Sequence, residues 1–373
     1  MTQIGLRSMS SAPLLHTDVQ AVPGFTTTEY VDWLRWHHPR LLSVLDQRIL
    51  ADPSQLASHF IGLGDIAGHL EFNQNPATGR GKPYRERQKR YPLARATGYQ
   101  DIFRVLHTCS GGMRPCTLVA DCLGGNGTLF RASRALLRPS EQPYWITADS
   151  SADMVLDAIC QDLPVIRQAA QQTLFGDNVL DAAFFGYGFH HINPNDRPRT
   201  LEEAYRYLKP GGTILLQDFE EGSPTARWYS EGLDLYTLTG HKYKHFTEQE
   251  YHQLLNNSGF KNIEIFRSYD PFVFTGTDAE KVRFELLEHL VEMFGMVKLS
   301  RQLSESERDF SDRVESVLAA FATFDARDMA FDQRAHRRFV IFQESPGCWR
   351  AEFPRVALMA SANKPSILKR RPS

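Results

Sequence analysis

Three groups of residues along the chain have the types and spacing to do chemistry. The first is Leu118-Val-Ala-Asp121-Cys-Leu-Gly124-Gly125-Asn126-Gly127-Thr128, an apolar run that ends on an acid, enters a glycine-rich turn and leads into a helix. Glycines at such a turn let the backbone approach a ligand without interference from Cβ. A dinucleotide site needs G-x-G-x-x-G, with its pyrophosphate at the helix N-terminus. Here Phe130 stands where the third glycine belongs. Asp121 would repel a pyrophosphate, but it suits a cationic, amino-acid-bearing ligand. Asp149 closes a second apolar run, Pro143–Asp149, 22 residues past Gly127. A carboxylate there can accept hydrogen bonds from ribose hydroxyls.

The second group, Tyr187-Gly188-Phe189-His190-His191, follows a third run, Asp181–Tyr187. The Tyr187 hydroxyl can hydrogen-bond a cofactor or nucleophile, and its ring face can attract a cation. His190 or His191 can act as a base near neutral pH; alternatively, one packs on the following helix and the other is exposed. The third group is His241-x-x-x-His245, which on one helical face would form a metal pair. Lys242 and Lys244 intervene and the sequence shows no third ligand, so the expectation is solvated histidines and no metal. Asp218, Glu220, Arg227 and Trp228, after a fourth run Thr213–Asp218, either reach a substrate or serve as caps and turns.

Four apolar runs separated by helical stretches such as Arg131–Leu137 and Thr200–Leu208 argue for a parallel sheet covered on both faces. Lys261–Tyr269 reads as a later strand. Before this core, residues 1–26 read as a loose leader and 27–96 as a helical cap. Within the cap, Asn73–Arg95 interleaves glycine, proline and seven basic residues, either as a solvated loop or frayed helix or as a mobile flap that closes a site or docks an acidic carrier. The α/β core is expected over 97–270 and a helical insert over 271–338. Capping boxes are read at Thr277-x-x-Glu280 and Ser304-x-x-Glu307. Phe339–Phe342, Ser345-Pro-Gly347 and Val356–Ala362 read as an antiparallel hairpin closing the core over 339–364, ahead of a basic tail, 365–373.

Composition narrows the function. The 373 residues carry 42% hydrophobic and 23% charged side chains, enough for a real core. Lys plus Arg total 42 against 44 Asp plus Glu, so there is no broad phosphate footprint for nucleic acid and no pull to an anionic membrane. No apolar stretch approaches the roughly 18 residues of a spanning helix, and no secretory segment is evident at the start. Five cysteines without C-x-x-C spacing read as reduced thiols in the cytoplasm.

The ordered motifs resemble class I S-adenosylmethionine-dependent methyltransferases. Asp121–Gly127 is similar to their D-x-G-x-G-x-G loop, with Leu123 in place of the first glycine. Trp145-Ile-Thr-Ala-Asp149-Ser150 resembles the ribose-binding strand end, and Gln171-Gln172-Thr-Leu-Phe-Gly-Asp-Asn-Val-Leu-Asp181 the approach to the fourth strand. Phe189-His190-His191-Ile192 and Leu208-Lys-Pro-Gly-Gly-Thr213 match the segments after the fourth strand and before the fifth. The resemblance covers about 170 residues and implies a Rossmann-like, mostly parallel seven-stranded sheet with helices on both faces, S-adenosylmethionine as cofactor and a small-molecule substrate. It implies cofactor contacts from Asp121, Gly124, Gly125, Asn126, Gly127, Asp149, Ser150, Gln171 and Tyr187, and catalysis by Tyr187 and His190. The acid often found beside the adenine falls near Ala169, which leaves that edge to Gln168 or Gln171.

The leading expectation is a small-molecule methyltransferase of specialised metabolism. Asp218 through Thr247 also resembles a natural-product subgroup that includes enzymes cyclising S-adenosylmethionine to azetidine-2-carboxylate. A non-catalytic cofactor-binding subunit is a third reading. Oligomeric state is not readable from these residues.

Overall fold

The computed structural model describes residues 18–67, 81–238 and 240–366. Its centre is a seven-stranded sheet built from β1 (Leu118–Cys122), β2 (Tyr144–Asp149), β3 (Val165–Arg167), β4 (Leu180–Gly186), β5 (Leu208–Asp218) and β6 (Lys261–Tyr269), with a last strand at Val356–Asn363. Three further strands, β7 (Phe272–Gly276), β8 (Val340–Ser345) and β9 (Cys348–Phe353), form a separate antiparallel sheet. The last strand is therefore β10, and the main order is β3-β2-β1-β4-β5-β10-β6. β3, β2, β1, β4 and β5 run parallel, while β10 runs antiparallel between β5 and β6. The expected mostly parallel seven-stranded sheet is what the chain forms.

Alternation along the strands sorts side chains to two faces. Trp145 and Phe184 pack on one face with Tyr99, Ile102 and Phe103; Ile146 and Phe185 pack on the other with Leu201 and Phe260. A period of two does this automatically, because successive Cβ atoms point to opposite sides. Helices α1 (Thr27–His37), α2 (Pro53–Ala67), α3 (Gly81–Arg90) and α4 (Ala96–Cys109) precede the sheet, and α5 (Thr128–Leu136), α6 (Ala152–Ile159), α7 (Arg197–Tyr207) and α8 (Glu248–Asn257) lie between its strands. α9 (Ala279–Met293) and α10 (Glu307–Phe321) pack with the small sheet around a second core that contains Trp228, Leu286, Leu290 and Phe353. Leu287, Leu290 and Val291 of α9 and Val314 and Leu318 of α10 are core, whereas Phe284 and Phe321 are half-buried.

Several sequence expectations change. The leader is not loose throughout: Gln20–Val22 pairs with Phe25–Thr26, and Ala21 and Val22 are fully buried. Residues 1–17, part of the expected flap (73–80) and most of the basic tail (367–373) lie outside the described residues. Of the rest of that segment, Gly81–Arg90 forms helix α3 and 91–95 a turn. The caps of α9 and α10 are Asp278 and Ser306, not Thr277 and Ser304, and their side chains accept from Lys281 N and Asp309 N. An aspartate one residue on is as good a cap as the threonine, so the helix starts where packing of its apolar face sets the phase. The closing hairpin divides between sheets: β8 and β9 join through Pro346-Gly347 in the small sheet, and only β10 enters the main one.

Candidate functional site

The parallel strands end together at Cys122, Asp149, Arg167, Gly186 and Asp218, so their following loops converge on one edge, where open α/β sheets bind ligands. After β1 the chain turns sharply: Leu123, Gly125 and Gly127 adopt φ of +69°, +57° and +81°. A Cβ at Gly124 would meet the Asp121 carboxylate at 2.7 Å, so this position has no space for a side chain. Leu123 holds a left-handed conformation that costs a non-glycine residue roughly 1–2 kcal/mol. Its side chain packs close to Gly188 of the loop after β4, where an added Cβ would come within 3.0 Å of it.

Asp149 latches this loop from behind. Its carboxylate accepts from Gly125 N at 2.9 Å and from Ser151 N at 2.8 Å. Asn126 is committed to structure, its amide donating to Asp157 (2.9 Å) and its carbonyl accepting from Thr128 and Arg131. Asp121 is buried at the end of β1, and burial pushes its carboxyl up to about 8, with Asp149 adding to the rise and Arg95 opposing it. A buried carboxyl held that high is stabilised by any cation brought against it.

Two small adjoining cavities, about 80 and 50 Å³, occupy the edge and share Tyr84, Gln88, Arg95 and Tyr187. The first is floored by Asp121, Gly124, Gly125 and Asn126; the second is walled by His190, His191, His241 and Arg355. Helix α3 covers both. Arg87 ties it to Glu288 (2.9 Å) and Glu292 (2.6 Å) of α9, and Lys89 pairs with Asp157, the residue that also holds Asn126. A larger groove, about 530 Å³, lies outside this cover between Tyr91, Phe284 and Glu307 and includes no glycine-loop residue.

Tyr187 occupies a strained φ of +50° between the two cavities. Its hydroxyl donates to Asp270, and the guanidinium carbons of Arg95 and Arg355 lie 4.4 and 5.0 Å from its ring centre. Asp270 also accepts from Arg95 (2.6 Å) and Arg355 (2.7 Å). Burial and Asp270 together hold the Tyr187 phenol well above its ordinary value. Hydroxyl and ring are thus already engaged, which makes Tyr187 a positioning residue. Two guanidiniums sharing one carboxylate leave this wall with a net positive charge.

His190 sits in the short turn after β4. Its backbone N donates to Asp218 at 3.0 Å, and its ring Nδ1 lies 2.8 and 2.9 Å from the two Asp218 oxygens. Burial pushes the Asp218 carboxyl upward, but the imidazoles of His190 and His245 more than reverse this and hold it well below the usual carboxylate range. Facing a carboxylate, Nδ1 carries the proton, so Nε2 presents a lone pair; it is buried without a hydrogen-bond partner.

His241 and His245 are not on a helix but on an irregular stretch before α8, and both are about 1% exposed. They were expected to be solvated because the sequence shows only their mutual spacing. The fold adds neighbours: the ring centre of His190 lies 5.3 Å from His241 and 5.0 Å from His245. Of the residues after β5, Asp218 reaches the site. Glu220 pairs with Arg267, Trp228 packs on Phe353 in the second core, and Arg227 is exposed.

Among the implied cofactor contacts, Asp121, Gly124, Gly125, Asn126 and Tyr187 line the first cavity. Gly127 caps α5, Asp149 and Ser150 lie at the end of β2, and Gln171 is half-buried outside both cavities. Gln168 accepts from Leu174 N at 2.8 Å, so its carbonyl is engaged in the chain's own backbone. Tyr84, Gln88 and Arg95 belong to the Asn73–Arg95 segment that the sequence offers as a flap, without marking them individually; Asp270 and Arg355, in loops at the end of β6 and before β10, carry no local motif.

A family model described as a methyltransferase domain matches residues 129–216. The ubiquinone/menaquinone biosynthesis C-methyltransferase of Hahella chejuensis is 25% identical over 186 residues, 46% of this chain and 72% of that protein. Its counterpart from Bordetella avium is 28% identical over 144 residues, 36% of this chain and 55% of that protein. A solved phosphoethanolamine N-methyltransferase from Haemonchus contortus, in complex with phosphomonomethylethanolamine and S-adenosylhomocysteine, is 17% identical. The match covers 71% of this chain and 53% of that one with a TM-score of 0.42. No helix among the described residues is long and apolar enough to cross a membrane.

Proposed function

We propose that this chain, an S-adenosylmethionine-dependent enzyme of the class I methyltransferase superfamily, methylates a small polar acceptor held between the glycine loop and the histidine cluster. The observation that carries this reading is the shared wall: Tyr84, Gln88, Arg95 and Tyr187 border both the cavity floored by Asp121 and the cavity lined by His190. The residues present fit the cofactor. Asp121 suits its ammonium group, Arg95 its carboxylate, and Asp149, with one backbone N–H on each oxygen, has lone pairs left for ribose hydroxyls. When bound, S-adenosylmethionine supplies an electrophilic methyl group on sulfur.

The chain's own contribution is alignment, worth about 7–11 kcal/mol in well-oriented systems, and proton handling. Tyr187, stacked on Phe219 and fixed by Asp270, separates the two cavities and sets the direction of approach. Arg355 borders the acceptor cavity and can donate a hydrogen bond to an acceptor oxygen. Asp218 fixes the ring of His190, which presents its Nε2 lone pair at the wall of the acceptor cavity. With α3 closed, the cavities are smaller than the 300 Å³ or more that small-molecule sites occupy, so entry requires α3 to lift. The C-methyltransferase relatives make carbon an acceptor atom to test first, in an enolisable or phenolic compound; specialised metabolism remains the pathway setting proposed.

The deciding experiment incubates the pure protein with S-adenosylmethionine, with and without candidate acceptors, and follows products by mass spectrometry. Adenosylhomocysteine formed only with an acceptor supports methyl transfer. Methylthioadenosine formed without one would replace this reading with intramolecular cyclisation. Binding with neither product, across carbon, oxygen and nitrogen acceptors, would point to a non-catalytic subunit.

A further inference from the structure

We infer that His190, His191 and His241 bind one divalent first-row transition-metal cation at the wall of the acceptor cavity, with Asp218 orienting His190. The observations are geometric. One ring nitrogen from each of the three histidines lies within 4.8 Å of the others. Their ring centres are 4.1 Å apart for His190–His191, 5.3 Å for His190–His241 and 5.4 Å for His191–His241. Nitrogens around a tetrahedral ion at 2.0–2.1 Å stand about 3.4 Å apart, so modest ring rotation brings all three to one centre.

Hydrogen-bond accounting selects this set of ligands. Asp218 accepts from His190 N, Phe219 N and His190 Nδ1, so its oxygens are taken by the chain itself. That leaves it in the orienting role that carboxylates play behind metal-bound imidazoles, fixing the tautomer so that Nε2 is the ligand atom. His190 Nε2 is the group for which a partner is required: its residue is 3% exposed, the atom makes no hydrogen bond, and it belongs to the lining of the cavity. A buried polar nitrogen without a partner is costly and rare, and a cation or a water accounts for it. Neutral imidazoles without thiolate or several carboxylates suit zinc, iron or cobalt rather than magnesium or calcium. Three protein ligands leave at least one position open toward the cavity, where an anionic acceptor oxygen can bind. Only that last role rests on the methyl-transfer reading; the site itself does not.

The test uses the full chain with any histidine tag removed and metals stripped by a chelator. Titration with Zn²⁺ by calorimetry, and with Co²⁺ by its visible absorption, is expected to show one equivalent bound. His241→Gln and His191→Gln are expected to lower Zn²⁺ affinity at least 100-fold, and Asp218→Asn about 10–100-fold. His37→Gln, at a histidine outside the cluster that pairs with Asp162, is expected to change it less than threefold. Circular dichroism and S-adenosylhomocysteine binding without metal confirm that each variant is folded and separate loss of this site from loss of the cofactor reading. No uptake by the wild-type protein, or uptake undiminished in both His241→Gln and His191→Gln, overturns the inference. Loss confined to His245→Gln and Asp218→Asn moves the ligands to the neighbouring trio His190, Asp218 and His245 and overturns the proposed set.

Discussion

Replacing Asp121 with asparagine tests whether the glycine loop receives a cationic ligand through a buried carboxyl. Burial raises this group to about 8, against an ordinary value near 4. The folded protein therefore keeps a proton that the unfolded chain has shed, and stability falls as pH rises from about 4 to about 8, then levels off. The slope is about 1.4 kcal/mol per pH unit. Asparagine does not titrate, so the difference in denaturant-unfolding free energy between the two proteins is expected to move by about 3 kcal/mol in the variant's favour between pH 5 and 7. The same proton gives a second readout. At pH 7 about nine-tenths of Asp121 is protonated, and an ammonium group arriving beside it expels that proton. Calorimetry with S-adenosylhomocysteine in buffers of different ionisation heat should then register release of about 0.9 proton per site in the wild type and almost none in Asp121→Asn. A pH-independent stability difference together with no proton release would refute both the dominance of burial at Asp121 and the placement of the ligand's ammonium there.

Asp149→Ala removes the candidate ribose acceptor as well as the latch on Gly125, and S-adenosylhomocysteine affinity is expected to fall by about 1–3 kcal/mol; unchanged affinity by calorimetry would leave Asp149 a purely internal brace. Arg87→Ala cuts the tie of α3 to Glu288 and Glu292 and is expected to raise the KM for S-adenosylmethionine several-fold while kcat changes little, with Arg87→Lys intermediate. Asp218→Asn removes the anion that fixes the His190 tautomer, so kcat is expected to drop about 10–100-fold with cofactor affinity retained. Because the folded Asp218 is held far below the usual range, its ionised form stabilises the protein above about pH 4, and this is lost as pH falls through the lowered value. A wild-type acid-unfolding profile no steeper than that of Asp218→Asn would contradict this assignment.

The motif-bearing half of the protein was legible because its constraints are local. An apolar run ending in Asp121 and a turn with φ above +50° at Gly125 and Gly127 specify strand, loop and helix within a dozen residues. Leu123 was recognised as the departure from the glycine pattern, and the structure shows what it means: a left-handed leucine whose side chain packs against Gly188. At the starts of α9 and α10 two local capping solutions are nearly equal, and packing of the apolar face, not the cap, sets the helix phase. The hairpin expected between Phe339–Phe342 and Val356–Ala362 instead pairs Val340–Ser345 with Cys348–Phe353, since pairing partners are a property of the assembled fold.

The sequence by itself therefore determined the parallel sheet, the glycine loop, the two acids at its strand ends and the histidines after β4. Tertiary structure alone decided what those groups face. Arg95 and Asp270 meet across 175 residues, Tyr187 and Asp270 across 83, and His190 and Asp218 across 28. His241 and His245, read as solvated from their lysine neighbours, became buried partners of His190 only when the stretch before α8 folded onto the loop after β4. The physical reason is that φ/ψ preferences and side-chain periodicity act over a few residues, whereas burial and electrostatic environment depend on which distant segments exclude water from the same point.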